Sequence, residues 1–389
     1  MENKYPIASS TWDDAEINAI KKVIDTGAYS MGKFVFEFET KFSEYFNSKY
    51  SVMANSGSSA NLLAIASLFY RKNNSLKRGD EVIVPAVSWS TTYSPLQQYG
   101  LKLKFVDIDL NTLNYDIQKL STAISDKTRL VVAVNLLGNP NDFDEIKKII
   151  NNRDIIVLED NCESMGATYK NKKTGTIGLL GTFSSFFSHH ISTMEGGMIC
   201  TDDKELYDIM KSLRAHGWTR NLDNDNVLCK KGTNQFEESF RFILPGYNLR
   251  PLEFSGAIGL EQLKKLPKFI DQRQKNHIFF KKLFENDQRF IIQQEIGKSS
   301  WFGFSFIINK SSGLNRQVIL DNLNKAKIDY RPIVSGNFCK SESLKYYDYE
   351  IHDKIENAEY LHNQGFFIGN HHYDLRENIE YLKKVLSDI

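Results

Sequence analysis

Between Ser184 and Gly197 the chain reads Ser-Ser-Phe-Phe-Ser-His-His-Ile-Ser-Thr-Met-Glu-Gly-Gly. The adjacent imidazoles of His189 and His190 are suited to moving protons, because a free imidazole titrates at about 6.5. A second stretch, Asn55-Ser-Gly-Ser58, turns a short apolar segment into Ala/Leu-rich helical sequence. Backbone N–H groups of Gly57 and Ser58 at such a helix start, with a Ser hydroxyl, make a phosphate site. An ordinary capped helix has the same pattern. A third stretch, Asp154-Ile-Ile-Val-Leu-Glu-Asp160, ends an apolar strand in carboxylates, and Glu163 follows. Carboxylates at the C-terminal ends of parallel strands stand where open α/β sheets bind ligands. Asp160 as a solvated loop charge or a helix cap is the alternative. Trp89, after Glu81-Val-Ile-Val-Pro85, offers a flat face for stacking on a ring, or is a core side chain.

Strands and helices must alternate to place these groups together. Glu81–Pro85, Lys104–Asp107, Arg129–Gly138 and Asp154–Asp160 read as strands, and the last two are apolar enough for a buried parallel sheet. Phe34–Tyr45, Phe143–Ile150 and Asp202–Ala215 read as helices. Ser10 or Thr11 is expected to cap a first helix whose apolar face is Ile17, Ile20, Val23 and Ile24, with Gly27 at its C-cap. Asn221–Phe240 is a polar surface excursion. A helix to Leu266 is expected to break at Pro267, with a second helix over Phe269–Phe284. Arg331-Pro and Gly365-Phe-Phe-Ile-Gly-Asn370 are expected as loops facing a site. The alternation predicts an α/β fold with a helix-covered, mostly parallel mixed sheet. The domains are placed at 1–250 and 251–389, the second being a helical connection and a smaller α+β unit.

At 389 residues and net charge +1, the chain is long enough for two domains, and its charge gives no reason to expect nucleic acid or an acidic membrane surface as partner. No apolar run reaches bilayer length, and the N-terminus lacks a signal-peptide pattern. Cys162, Cys200, Cys229 and Cys339 are scattered, without a C-x-x-C pair, which fits a reduced cytoplasmic enzyme and gives no sign of a metal site.

Taken in order, the phosphate turn, the aromatic after a strand, the strand-end Asp160, the Ser-rich stretch before Glu195-Gly-Gly and the Gly246-Tyr-Asn-Leu-Arg250 loop resemble the DegT/DnrJ/EryC1/StrS sugar aminotransferases over essentially the whole chain. These have the fold type I of enzymes dependent on pyridoxal 5'-phosphate (PLP). Where the family carries a lysine that forms a Schiff base with PLP, six residues before the Glu-Gly-Gly glutamate, this chain has His189. Within the family it is most similar to members that also have His there, in Arg214-Ala-His-Gly-Trp-Thr-Arg-Asn221, Phe236-Glu-Glu-Ser-Phe240 and Arg331-Pro-Ile-Val334.

The resemblance implies a homodimeric dehydratase that removes the C3 hydroxyl from GDP-4-keto-6-deoxy-D-mannose, in the making of colitose-type O-antigen sugars. PLP, or its amino form pyridoxamine 5'-phosphate (PMP), would be held non-covalently. The PMP amine would condense with the C4 ketone, His189 would act as the catalytic base, ammonia would leave, and L-glutamate would restore PMP. By position in the family, Asp160 pairs with the pyridine nitrogen, Trp89 stacks on the ring, and Glu163 faces the ring hydroxyl. Gly57, Ser58 and Ser184 hold the phosphate, and Asn248 reaches the phosphate in the neighbouring subunit. Arg250 is the candidate for the glutamate carboxylate, and Arg220, Trp301 and Arg331 for the sugar nucleotide. The alternatives are a nucleotide-sugar 4-aminotransferase, which needs another lysine at the cofactor, an iron–sulfur CDP-sugar 3-dehydratase, which needs grouped cysteines, and a non-catalytic binding or regulatory protein on the same fold.

Overall fold

The computed structural model describes residues 3–389. Its strands are β1 Tyr50–Ala54, β2 Glu81–Pro85, β3 Lys102–Val106, β4 Thr128–Val134, β5 Ile156–Asp160, β6 Thr168–Tyr169, β7 Lys172–Lys173, β8 Leu180–Ser184, β9 Gly197–Thr201, β10 Phe290–Ile292, β11 Gly303–Ile308, β12 Tyr349–Ile351 and β13 Gly365–Gly369. Its helices are α1 Asp14–Thr26, α2 Lys33–Phe46, α3 Gly57–Leu68, α4 Ser90–Gln98, α5 Ile117–Ala123, α6 Phe143–Ile150, α7 Lys204–Arg214, α8 Gln235–Glu238, α9 Glu253–Phe284, α10 Arg316–Lys325, α11 Glu356–Gln364 and α12 Arg376–Ser387.

Eight strands form one sheet in the order β1-β9-β8-β5-β4-β2-β3-β12. Only β9 runs against the others, pairing antiparallel with β1 and β8. The expected α/β class with a mostly parallel mixed sheet is therefore present. β2, β8 and β9 are buried along their whole length, as strands covered on both faces must be. A large core that includes Leu63, Val84, Leu103 and Leu206 packs one face, and a smaller one with Val131, Ala133, Phe143 and Ile146 packs the other. The parallel strands all deliver their C-terminal ends to one edge, so Ala54, Pro85, Val134, Asp160 and Ser184 precede neighbouring loops. A second, three-stranded sheet β10-β11-β13 packs with α10, α12 and the end of α9 around Phe280, Phe304, Phe306 and Leu382. No helix among the described residues is long and apolar enough to cross a membrane.

Several local expectations are corrected. The cap of α1 is Asp13, whose carboxylate accepts from Ala15 N while Glu16 reaches back to Asp13 N at 2.8 Å. The buried face of α1 is Glu16, Ala19 and Val23, whereas Ile17 and Ile24 are 44% and 51% exposed. The buried carboxylate of Glu16 is matched by Lys265 at 2.6 Å, so a charged residue occupies a face that apolar spacing alone would not assign to it. The helix does not break at Pro267: α9 continues through it. Proline costs one backbone hydrogen bond there, about 3 kcal/mol, but Leu263, Leu266, Phe269 and Ile270 are buried on either side and hold the helix in place. Gly365–Gly369 is strand β13, not a loop, because it pairs antiparallel with β11.

Candidate active site

A cavity of about 500 Å3 opens where the strand ends converge. Of the residues singled out in the sequence, Gly57, Ser58, Trp89, Asp160, Glu163, Ser184, His189 and Arg331 all line it. Each arrives by a short local route. Ser56 caps α3, its hydroxyl accepting from Ser59 N at 3.1 Å, so the first N–H groups of the helix are presented at the cavity. Gly57 packs so tightly on β8 that a Cβ there would lie 2.6 Å from Ser184 Cβ. This brings the first turn of α3 and the end of β8 together as one cradle. Trp89 is the N-cap of α4 and leaves 58% of its surface open.

Asp160 ends β5. Its Oδ2 accepts from Thr92 Oγ1 at 2.7 Å and from Asn61 Nδ2 at 3.0 Å, and its Oδ1 accepts from Cys162 N at 3.2 Å. Glu163 accepts from Leu137 N at 3.0 Å. Burial raises its pKa to about 7, against the lowering effect of that hydrogen bond, and the Asp160 charge adds to the rise. His189 lies in the cavity wall between Phe186 and Phe302, with ring centroids at 6.0 and 5.4 Å. Burial first, and the Arg273 guanidinium second, bring its pKa down to about 4, so the ring is neutral at pH 7. His190 is fully buried, with Nε2 3.2 Å from Ser300 O, and does not line the cavity.

Arg220, Asn248 and Arg250 are not brought to this cavity. Arg250 Nε donates to Asn248 Oδ1 at 2.9 Å, and Arg220 and Arg250 lie over the Trp218 ring at 4.4 and 5.5 Å. Trp301 is buried and stacks on His277 with centroids 3.4 Å apart. No lysine is among the described residues lining the cavity. Lys170 pairs with Asp144, and Lys173 donates to Tyr45 O and sits over the Tyr45 ring. Cys162 lines the cavity, but no group of three His, Cys, Asp or Glu side chains among the described residues is placed to hold a metal ion.

The sequence reading overlooked Asn61, Thr92, Ser188 and Phe302, which also line the cavity. Asn61 could have been found, since it lies one helical turn after Gly57 and on the same face. For Ser188 the adjacent His189 was the only signal.

The residues present fit a phosphorylated pyridine cofactor. The first N–H groups of α3 and the Ser58 and Ser184 hydroxyls stand at one end, a carboxylate held by three donors stands at the sheet edge, and an open indole face lies beside them. Comparison with known proteins agrees. The model of the DegT/DnrJ/EryC1/StrS aminotransferase family matches residues 10–386. GDP-4-keto-6-deoxy-D-mannose 3-dehydratase of Escherichia coli O55:H7 is 61% identical over 385 residues, covering 98% of this chain and 99% of that protein. A solved structure of an E. coli GDP-4-keto-6-deoxy-D-mannose 3-dehydratase with bound hydrated PLP superposes with a TM-score of 0.98 at 60% identity, covering 99% of this chain and 100% of that one. A GDP-4-keto-6-deoxymannose 3-dehydratase with a trapped PLP-glutamate geminal diamine superposes at 0.97 and 61% identity, covering 98% and 100%. With a full-length family match, and with the strand ends, cradle and carboxylates in place, the chain belongs to the DegT/DnrJ/EryC1/StrS aminotransferase family.

Proposed function

We propose that this chain removes the C3 hydroxyl from GDP-4-keto-6-deoxy-D-mannose, yielding GDP-4-keto-3,6-dideoxymannose and ammonia, and that L-glutamate restores the amino form of its cofactor. The observation that carries the reading is His189: an imidazole stands in the cavity wall at the family's lysine position, and no lysine lines that cavity among the described residues. Without an amine the chain cannot hold PLP covalently, which favours loss of a hydroxyl over transfer of an amino group.

The bound cofactor supplies an electron sink for negative charge developing beside its ring. Asp160 would keep the pyridine nitrogen protonated, and the donors from Asn61, Thr92 and Cys162 hold its carboxylate in place for that. Backbone N–H groups of Gly57 and Ser58, with the Ser58 and Ser184 hydroxyls, would bind the phosphate. Trp89 would cover one ring face, and Glu163 would hydrogen-bond the ring hydroxyl. His189, neutral at pH 7, would take the proton at C4′ and return one to the departing C3 hydroxyl.

The reading includes a homodimer with shared sites. Asn248, Arg220 and Arg250 do not line their own cavity and gather instead around Trp218. Phe236, Phe240, Phe242 and Leu252 are exposed in this part of the chain, an apolar surface suited to a second subunit. On that face the three polar residues would complete the neighbour's site.

The test is a product mass. Purified protein with PLP, L-glutamate and GDP-4-keto-6-deoxymannose is expected to form a 3-deoxy ketosugar nucleotide with no nitrogen retained. A 4-amino sugar would overturn the reading in favour of an aminotransferase. Sedimentation is expected to give a dimer.

A further inference from the structure

Arg273, on α9, is 4% exposed. Its Nη1 donates to the carbonyls of Asn370 at 2.5 Å and Phe302 at 3.2 Å, its Nε has no partner, and it pairs with no carboxylate among the described residues. The other deeply buried arginine near the sheet, Arg214, is ion-paired with Glu39. A buried guanidinium without an anion is costly, because its charge has left water without a compensating partner, so its retention calls for a reason. The place it occupies suggests one. Arg273 borders a recess with about 20 Å3 of room, and Ser188, Phe302, Arg331 and Phe367 belong both to that recess and to the main cavity. Arg331 is exposed and also has no ion-pair partner among the described residues. Two guanidiniums and the Ser188 side chain thus border one small hollow beside His189.

We infer that Arg273 and Arg331 together receive one carboxylate of the amino donor. A planar carboxylate suits guanidinium forks and places only two oxygens in the hollow. A diphosphate offers similar oxygens, and titration with GDP distinguishes the two. The inference rests on the reading that L-glutamate is the donor, and it assigns to Arg273 and Arg331 the contact that the sequence placed at Arg250.

Glutarate is the probe, since it carries both carboxylates of glutamate but no amine and cannot react. In calorimetric titration of the PLP-loaded protein, Arg273→Met is expected to weaken glutarate binding about tenfold or more, the loss of one charge-assisted pair. Arg273→Lys, which keeps the charge but not the fork, is expected to fall between wild type and Arg273→Met. GDP affinity is expected to change by less than about twofold, within the spread of surface substitutions. In turnover, KM for L-glutamate is expected to rise more than KM for the sugar nucleotide. Glutarate binding that is absent in the wild type, or equal in wild type and variants, overturns the inference. So does a loss of GDP affinity with glutarate affinity kept, which would make the recess a diphosphate site. If Arg273→Met does not fold, Arg331→Gln decides by the same titration, and unchanged glutarate affinity there overturns the inference. A wild-type protein that never consumes L-glutamate refutes the underlying reading instead, so the two failures are distinguishable.

Discussion

Asn61 Nδ2 donates to Asp160 Oδ2 at 3.0 Å, tying the second turn of α3 to the end of β5. The same amide accepts from Thr182 Oγ1 at 2.6 Å on β8. One side chain thus links the helix that starts at the phosphate cradle to the carboxylate meant for the pyridine nitrogen. Asn61→Leu is expected to leave a buried carboxylate short of one donor, at a cost of about 1–3 kcal/mol. Urea unfolding of the cofactor-free protein measures this, and PLP affinity should fall as well. An unchanged unfolding midpoint would show that Asn61 is dispensable to the carboxylate.

His189→Lys returns an amine to the family's lysine position. The variant is expected to become covalently attached to PLP, read as a mass increase after borohydride reduction. Dehydration is expected to fall by about 10²–10⁴, the usual contribution of a general acid–base group. Release of ammonia and 3-deoxy sugar at the wild-type rate would contradict the role assigned to the imidazole.

Acid should destabilise this protein in a defined window. His189, His371 and His372 have pKa values lowered to about 4, chiefly by burial, with Arg273 as the next cause for each. A base whose folded pKa lies below its unfolded value is neutral in both states above about 6.5 and loses stability as pH falls from there toward the folded value. Stability of the cofactor-free protein should therefore decline between pH 6.5 and 4. His189→Gln should flatten that decline by about one proton's share, at most about 3 kcal/mol. Parallel pH profiles for wild type and variant would exclude His189 from the group.

Glu163 has the opposite sign. Its folded pKa is raised to about 7, so the folded state holds a proton that the unfolded carboxyl gives up near 4.5. The stabilising effect is full below about 4.5 and is lost as pH rises through about 7. Glu163→Gln should therefore be more stable than wild type at pH 8, by at most about 3 kcal/mol and less because the carboxyl borders a wet cavity. The difference should vanish at pH 4.5. Thermal melting of the cofactor-free pair at the two pH values checks it.

Patterns along the chain were enough for the α/β class with its mostly parallel sheet, for the helix that follows Asn55-Ser-Gly-Ser58 and for the order of the strand-end motifs. These depend on hydrophobic period and on turn residues within a few positions, as at Asn55-Ser-Gly-Ser58 and Asp154–Asp160. They were enough also for the substitution of histidine for lysine at position 189, which is a matter of residue type alone. Tertiary packing decided the rest. It kept α9 whole through Pro267 and buried Glu16 where Ile17 and Ile24 stayed exposed. It left Arg220, Asn248 and Arg250 out of the cavity lining and brought Arg273 to the adjoining recess with no carboxylate partner among the described residues. Desolvation and ion pairing depend on which groups from distant segments exclude water together, and a sequence lists those groups without stating which of them meet.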